Sequence, residues 1–328
     1  MFNWHKKEKP FLGYGGFGGA STGLAFGGAA SSAVKATGGT AVEPGNGYVY
    51  HVFTSSGAIV ANDADVPNVD WLVVAGGGAG GNYFGGGGGA GGYRVHSPNA
   101  GPLHNPTNLN LTPTPVSVTV GDGASTSNAQ GSGSSLGPIG SAGGGGGETG
   151  GGGGGAGTTG GSGGGGGPTN GGGTHPGFGG NQPPVSPPQG NPGGTGYHLG
   201  SYPSGGGGGA GGAGSPGPNP GPGGPGGNGY PNPDFAAPHV APALTEAGVP
   251  GPEVTAFTNA VGPTGLYAGG GGGISGVQNG TGGPGGGGAG GSPGVNYTGG
   301  GGGGMHPPGG THVRTGGKGI VIVRYAAS

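Results

Sequence analysis

The run VDWLVVA at Val69–Ala75 is a continuous apolar segment, which is typical of a β-strand buried on both faces. One other strongly apolar run, GIVIVRY at Gly319–Tyr325, lies almost at the end of the chain. Either strand alone would leave a long apolar edge open to aggregation. We therefore expect Gly319–Tyr325 to return and pair beside Trp71–Ala75. The alternative is that it forms an independent edge strand.

Shorter segments around Val69–Ala75 also have strand character. Bulky and β-branched residues alternate in YVYHVFT at Tyr48–Thr54, which follows a Pro-Gly-Asn-Gly turn. Further short strands are expected at Gly92–His96 and Pro115–Val120. This spacing favours a mainly β fold with a small sandwich-like module over residues 37–142, closed by a C-terminal strand within residues 316–328.

Glycine supplies 108 of the 328 residues, against about 7 % in an average chain. Collagen would need glycine at every third position, and the blocks of consecutive glycines in this chain break that period. A disordered glycine-rich linker is the second explanation. Apolar segments at both ends of the glycine region count against it.

Residues 143–315 consist mainly of glycine tracts of similar length, separated by loops that contain Pro, Asn and Tyr. The tracts are Gly150–Gly155, Gly163–Gly167, Gly205–Gly209, Gly269–Gly273, Gly285–Gly288 and Gly299–Gly304, with Gly85–Gly89 as an outlier before the region. Polyglycine forms an extended helix with about three residues per turn and no internal hydrogen bonds. Packed side by side, such helices give buried backbone groups their partners. We therefore expect a stack of short polyglycine II helices, in which a surrounded helix admits only glycine.

The segment LTEAGVPGPEVTAF at Leu244–Phe257 is the candidate for one ordered insertion without glycine tracts in this region. Its proline-rich surroundings favour an extended loop.

Charged residues make up 5 % of the chain, and no Lys or Arg occurs between Arg94 and Arg314. Nucleic-acid binding needs clustered cations, so this function is not expected. The chain has no cysteine, no apolar run as long as a membrane span, and no apolar leader at its start. The carboxylates of Asp63, Asp65 and Asp70 are interpreted as part of a turn, and His306 and His312 as loop residues. We expect no catalytic site, cofactor or metal.

Residues 1–36 combine lysines with aromatic and apolar side chains that are too few to form a core. Five of them are candidate anchors to another protein: Phe2, Trp4, Phe11, Leu12 and Phe17. Apolar anchors rimmed by charges are typical of an interface. The alternative is a frayed terminus with scattered aromatics.

Aromatic and histidine side chains in the loops between tracts are candidate receptor contacts, because rings offer a large contact area at low entropic cost. The six candidates are Tyr197, His198, Tyr202, Tyr230, Phe235 and Tyr267. The alternative is that they cover the ends of the glycine tracts and exclude water.

Several motifs together carry a family resemblance. HVFTSSG at His51–Gly57, WLVVAGGGAGG at Trp71–Gly81 and GKGIVIVRYA at Gly317–Ala326 resemble the glycine-rich domain structural proteins of tailed phages, especially the marine cyanophage type. The opening KKEKPFLG at Lys6–Gly13 looks similar to their start. The tracts are also similar in style to tail-tip adhesins of T-even-like phages. The closing strand after Gly319 and the N-terminal strand module depart from those adhesins.

The resemblance implies a virion structural protein that is tail-associated, such as a tail fiber component or adhesin, and homotrimeric. Its partners would be other phage structural proteins and a host surface protein or glycan, with no membrane insertion. Two alternatives remain: a passive decoration or scaffold protein of the capsid or tail, and a subunit of an extracellular filament.

Deletion of residues 1–30 tests the anchor. We expect the truncated protein to fold, because the predicted β-module starts near Thr37, but to be missing from purified particles. Quantitative mass spectrometry of the particles measures its copy number. Truncated protein present at the normal copy number would contradict the assignment.

Overall fold

The computed structural model describes residues 34–151, 155–168, 173–198, 200–306 and 314–327. These residues form a mainly β protein with antiparallel sheets and two short helices, which confirms the expected fold class. The strands are β1 (Ala36–Thr37), β2 (Thr40–Val42), β3 (Tyr48–Phe53), β4 (Gly57–Ala61), β5 (Val66–Val74), β6 (Tyr93–His96), β7 (Leu109–Leu111), β8 (Val116–Thr119), β9 (Ser134–Leu136), β10 (Ile139–Ser141), β11 (Thr174–His175), β12 (Gly196–Tyr197), β13 (Tyr230–Pro231), β14 (Leu266–Tyr267) and β15 (Ile320–Ala326). The helices are α1 (Ala237–Glu246) and α2 (Gly251–Val261), and single 3₁₀ turns lie at Gly101–Leu103 and Pro233–Phe235.

The C-terminal strand lies at the centre of the larger sheet. The strand order is β2-β3-β15-β5-β6, with β7 paired to the outer part of β5. Val323 lies opposite His51 on one side and opposite Trp71 on the other. The expected pairing of the chain end beside Trp71–Ala75 is therefore confirmed. The last residues of the chain complete a sheet that the first strands begin.

Both faces of the larger sheet are buried, which explains the continuous apolar runs. On one face, Val321 and Val323 share a core with residues of the second sheet, whose order is β1-β4-β8-β9-β10. On the other face, Ile320 and Ile322 belong to a core that includes the helices. These four side chains are fully buried. Because successive side chains of a strand point to opposite faces of the sheet, the apolar residues of β15 contribute to two cores.

The segment expected to be an extended loop is a helical hairpin. Val240 and Leu244 of α1 are four residues apart, as are Phe257 and Val261 of α2, and all four are fully buried in the same core. This is the spacing of one helix face. The proline signal was misleading because of where two of the prolines fall.

Pro238 and Pro252 are the second residues of α1 and α2. A proline in the first turn costs no hydrogen bond, since the first backbone N–H groups of a helix have no partner within it. Only Pro242 lies inside α1 beyond that turn. The prolines therefore mark helix starts rather than a loop.

A buried ion cluster joins the hairpin region to the larger sheet. The Arg324 guanidinium on β15 donates to the Asp70 carboxylate at 2.8 Å and lies 3.0 Å from the Asp234 carboxylate. Arg324 is only 4 % exposed. Burial favours the protonated form of Asp234, but hydrogen bonds from Asn99 and the Arg324 charge outweigh it, and the pKa of Asp234 is lowered. Loss of one partner from such a cluster costs about 3–5 kcal/mol.

Glycine tracts continue directly from the strand ends and bond to one another with a period of three residues. In the tract at residues 76–81, the N–H groups of Gly77 and Gly80 donate to one neighbouring segment, at residues 314–317. Gly78 and Gly81 donate to a second, at residues 86–89, and the remaining two N–H groups donate to a third, at 129–132. These six N···O distances are 2.9–3.1 Å. Successive residues therefore point about one third of a turn apart.

The carbonyl groups of the same tract follow the same rule. They accept from segments at residues 144–147, 124–128 and 302–305, each of which bonds to two carbonyls three residues apart. Three segments accept from the N–H groups of residues 76–81 and three others donate to their carbonyls, so six described segments surround this tract. Every N–H and C=O of this buried tract is paired without a β-ladder, as buried backbone groups require.

Four of the tracts expected from the sequence share this environment. Residues 163–167, 205–209, 269–273 and 299–304 are buried and lie outside β-ladders, and most of their N–H groups bond to glycine carbonyls of other segments. These four tracts are therefore neither solvated loops nor sheet strands, whereas a turn at Pro284–Gly286 interrupts the expected tract Gly285–Gly288 and Gly155 at the end of Gly150–Gly155 is exposed. The period of three is that of polyglycine II; the polyglycine II backbone angles stay a prediction.

Steric crowding explains the demand for glycine. A Cβ added to Gly78 would overlap the carbonyl of Gly145, and one added to Gly88 would overlap the carbonyl of Gly78. The expectation that a surrounded tract admits only glycine is too strict, however, because Ala79 is fully buried in the centre of the stack. The chain therefore accepts a methyl group at single positions only.

Gly78→Ala tests this crowding. Since the new methyl group would overlap backbone that cannot rotate away, we expect a loss of more than about 3 kcal/mol in unfolding free energy. Gly140→Ala in β10 is the control, because nothing lies within 4 Å of its added Cβ and its φ is not positive. Chemical denaturation of both variants measures the difference. Equal stabilities would contradict a close-packed stack.

Candidate functional site

The glycine stack has two ends. One end adjoins the sheets, because the tracts at residues 76–81 and 85–91 leave β5 and enter β6. The turn 82–84 that joins these two tracts must therefore lie at the opposite end. Backbone hydrogen bonds connect it and its neighbours there: Phe84 donates to Met305, and Gly276 donates to Ser201. We call this end the distal end.

Exposed apolar side chains concentrate at the distal end. Large apolar residues that the described part of the chain exposes are Val34, Tyr83, Tyr202 and Val277, and all but Val34 lie in distal loops. Tyr83 is 48 % exposed and Tyr202 is 41 % exposed. Neighbouring apolar side chains that stay exposed on a protein surface are a feature of interaction sites. Their clustering indicates an interaction surface.

Ring contacts join four aromatic and histidine side chains near this surface. The ring of Phe84 lies 4.8 Å from that of His306 and 5.7 Å from that of Tyr202. His198 packs edge-on to Tyr202 with centroids 5.2 Å apart. We call Tyr83, Phe84, His198, Tyr202 and His306 the distal aromatic patch.

Three of these rings stand on left-handed backbone. The φ angles are +51° at Tyr83, +58° at Phe84 and +52° at Tyr202. This region suits glycine, and a bulky side chain there costs about 1–3 kcal/mol. Such strain collects at functional sites. In a chain with so much glycine, three aromatic side chains at glycine-like positions are a further sign that the rings themselves are needed.

The structure divides the six receptor-contact candidates between the two ends. Tyr197, His198 and Tyr202 share the distal loop 197–203. Phe235 and Tyr267 are fully buried near the sheets, where the Tyr267 hydroxyl donates to the Phe235 carbonyl at 2.8 Å. The expectation that Phe235 and Tyr267 contact a receptor is therefore wrong, since burial removes their rings from any partner. The alternative that loop aromatics exclude water from tract ends fits them better.

Tyr230 also belongs to the end near the sheets. Its ring packs 5.8 Å from that of Tyr93, and it is half-buried beside the apolar core. It is therefore not part of the distal aromatic patch.

Tyr83 and Phe84 are not among the candidates predicted from the sequence, because Gly85–Gly89 lies within the expected β-module rather than between two tracts of the glycine region. The available signal is an adjacent aromatic pair between glycine runs that end at Gly81 and begin at Gly85. The proposed anchors Phe2, Trp4, Phe11, Leu12 and Phe17 lie outside the described residues.

A cleft opens beside the patch at the distal end. It has a volume of about 490 Å³ and is lined by Tyr197 and Thr174 on one side and by Pro216, Pro218 and Asn219 on the other. Tyr197 and Thr174 face each other as paired residues of the β11–β12 ladder. Gly217 donates to the carbonyl of Thr195, which holds the two walls together.

Two charged residues of the described part of the chain, Arg314 and Glu148, bond through their carbonyls to Gly80 and Gly86 on either side of the distal turn 82–84. The nearby Glu148 is largely buried; burial raises its pKa, while the N–H of Gly167, which donates to the carboxylate at 2.8 Å, acts in the opposite direction. Among the described residues, no group of three or more His, Asp or Glu side chains is placed to hold a metal ion. Neither described helix has the length and apolar character to cross a bilayer.

A family model described as a glycine-rich domain matches residues 54–326, most of the chain. A comparison with curated proteins gave no match.

Substitution of Tyr83 tests whether its left-handed backbone lowers the free energy of unfolding. Asn adopts left-handed backbone more readily than Tyr, so Tyr83→Asn should leave the unfolding free energy unchanged or raise it by up to about 1 kcal/mol. Tyr197→Asn is the control, because φ at Tyr197 is not positive, and we expect no gain there. Thermal and chemical denaturation measure both variants. A clear loss of stability in Tyr83→Asn alone would show that the ring is structural.

Proposed function

The chain belongs to the glycine-rich domain family. We propose that it is a tail-associated structural protein of a tailed-phage virion and that it contributes to host recognition. It is a binding protein without catalytic activity, cofactor or nucleic-acid partner. The motifs at His51–Gly57, Trp71–Gly81 and Gly317–Ala326, which resemble those of phage proteins, support this proposal.

The distal aromatic patch is the observation that carries the proposal. Tyr83 and Tyr202 are exposed, Phe84 contacts the rings of Tyr202 and His306, and Tyr83, Phe84 and Tyr202 stand on left-handed backbone at one end of the stack. Aromatic rings dominate recognition surfaces because they bury large areas with few rotatable bonds. A host surface protein or glycan is the partner that this end would contact.

The opposite end suits attachment to the particle. Val34, the first described residue, accepts a hydrogen bond from the Asn62 side chain beside β4 and so lies in the β-module. The proposed anchor residues precede Val34 in the chain. We propose that these residues bind other phage structural proteins, that the protein acts as a homotrimer, and that the distal end is presented outside the virion.

A passive decoration protein or a filament subunit would use the same glycine stack. A passive decoration protein does not need exposed aromatic rings at the distal end, so the patch favours host contact over that alternative. A filament subunit would cover these rings with the next copy, and the adsorption experiment separates it from a host-contact protein.

Phage adsorption tests the proposal. Particles that carry Tyr83→Ser together with Tyr202→Ser should adsorb to host cells at least about tenfold more slowly, because two exposed anchors are lost. The control is Tyr297→Ser, since Tyr297 is also a tyrosine on left-handed backbone (φ +63°) but is half-buried against the core near the sheets. Adsorption rates and copy number per particle are measured together.

Normal adsorption by double-variant particles with the normal copy number would overturn the role in host contact. Absence of the wild-type protein from purified particles, checked by mass spectrometry and by imaging of the intact virion, would overturn the virion assignment.

A further inference from the structure

We propose that the distal cleft beside Tyr197 is a binding site for an uncharged saccharide. This inference rests on the proposed function, because it names the chemistry of what the distal end contacts. Nothing in the family match assigns a ligand to this cleft.

Backbone hydrogen bonds hold both walls of the cleft. Tyr197 is held on one wall by its pairing with Thr174 and by its N–H, which donates to the Pro203 carbonyl at 2.8 Å. The opposite wall is attached through Gly217, whose N–H donates to Thr195 at 3.1 Å. The volume of about 490 Å³ falls in the range of small-molecule sites, about 300–1,000 Å³.

The lining combines apolar surfaces with short neutral polar groups. Tyr197, Pro216 and Pro218 supply ring surfaces, against which the C–H face of a sugar ring can pack. The Asn219 amide and the Thr174 hydroxyl supply a donor and an acceptor each, which matches the dual character of sugar hydroxyls. A few polar groups on an apolar lining are what orient a small ligand.

The absence of charge selects the class of saccharide. No Lys, Arg, His, Asp or Glu is among the described residues that line the cleft. A phosphorylated or acidic sugar would lose its hydration without gaining a cationic partner. A neutral sugar loses only hydroxyl hydration, which the amide and hydroxyl replace.

The cleft continues toward the distal aromatic patch. Loop 197–203 contributes Tyr197 to the cleft and both His198 and Tyr202 to the patch. The Ser201 hydroxyl and the Gly221 backbone exchange hydrogen bonds of 3.0 Å, which hold this loop against the loop that follows the second cleft wall. A saccharide of several units could therefore occupy the cleft with one unit and extend over exposed rings with the next.

Titration of the full-length protein with defined oligosaccharides tests the site. The probes are neutral hexose oligosaccharides, a phosphorylated oligosaccharide of matching length and a proline-rich peptide, followed by calorimetry and by NMR of the aromatic signals. We expect saturable binding of at least one neutral probe and a loss of about tenfold or more in affinity for Tyr197→Ala. The matched control is Tyr83→Ala, which removes an exposed distal ring outside the cleft and should bind a short neutral probe normally.

Three results would overturn the inference: no neutral probe binds, binding survives Tyr197→Ala in a variant with a normal melting temperature, or only the charged sugar or the peptide binds. These failures are distinct from failure of the proposed function. Particles whose adsorption depends on Tyr83 and Tyr202, but whose protein binds no neutral sugar, would retain host contact and lose only the saccharide site. Particles that adsorb normally without those rings would lose the host-contact role itself.

Discussion

The structure depends on one constraint: buried backbone N–H and C=O groups must be paired, and here almost no side chains are available to help. Residues 76–81 meet it by bonding to six surrounding segments, with a period of three residues. Each hydrogen bond of this kind adds only about 1 kcal/mol net, whereas an unpaired buried group costs about 1–3 kcal/mol. The stack is therefore stable as a whole, but at its centre it does not tolerate substitutions that separate the tracts. Any wider backbone spacing would leave many groups unpaired at once.

Ordering so much glycine is entropically unfavourable, since glycine loses more conformational freedom than any other residue. The sheets reduce this cost by fixing where tracts begin. The tracts at residues 76–81 and 85–91 extend the paired strands β5 and β6, and residues 314–319 lead into β15 between β3 and β5. Two apolar cores and the buried Arg324 cluster hold those strands. The apolar part of the chain thus supplies the framework that the glycine part lacks.

A stack made of backbone also explains the form of the candidate site. Its interior holds few side chains beyond buried hydroxyls such as those of Ser162 and Ser204, so recognition must come from the loops at its ends. At the distal end, rings stand on backbone that glycine would adopt more easily, and the chain retains them there. Left-handed backbone at Tyr83, Phe84 and Tyr202 fits a recognition role, because strained conformations collect at functional sites.

The sequence by itself determined five of the strands (β3, β5, β6, β8 and β15), the return of the C-terminus and the need for close-packed glycine tracts. Those features follow from local chemistry: apolar runs must be covered, and consecutive glycines leave only backbone to pair. The helices were missed because proline at a helix start and proline in a loop look alike until Val240 and Phe257 are seen to share a core. Which loop aromatics reach solvent was likewise decided by tertiary structure, because Tyr202 and Tyr267 have similar sequence surroundings but opposite burial. Their difference arises from the direction of the tract that each one joins, and that direction is set by distant hydrogen bonds rather than by neighbouring residues.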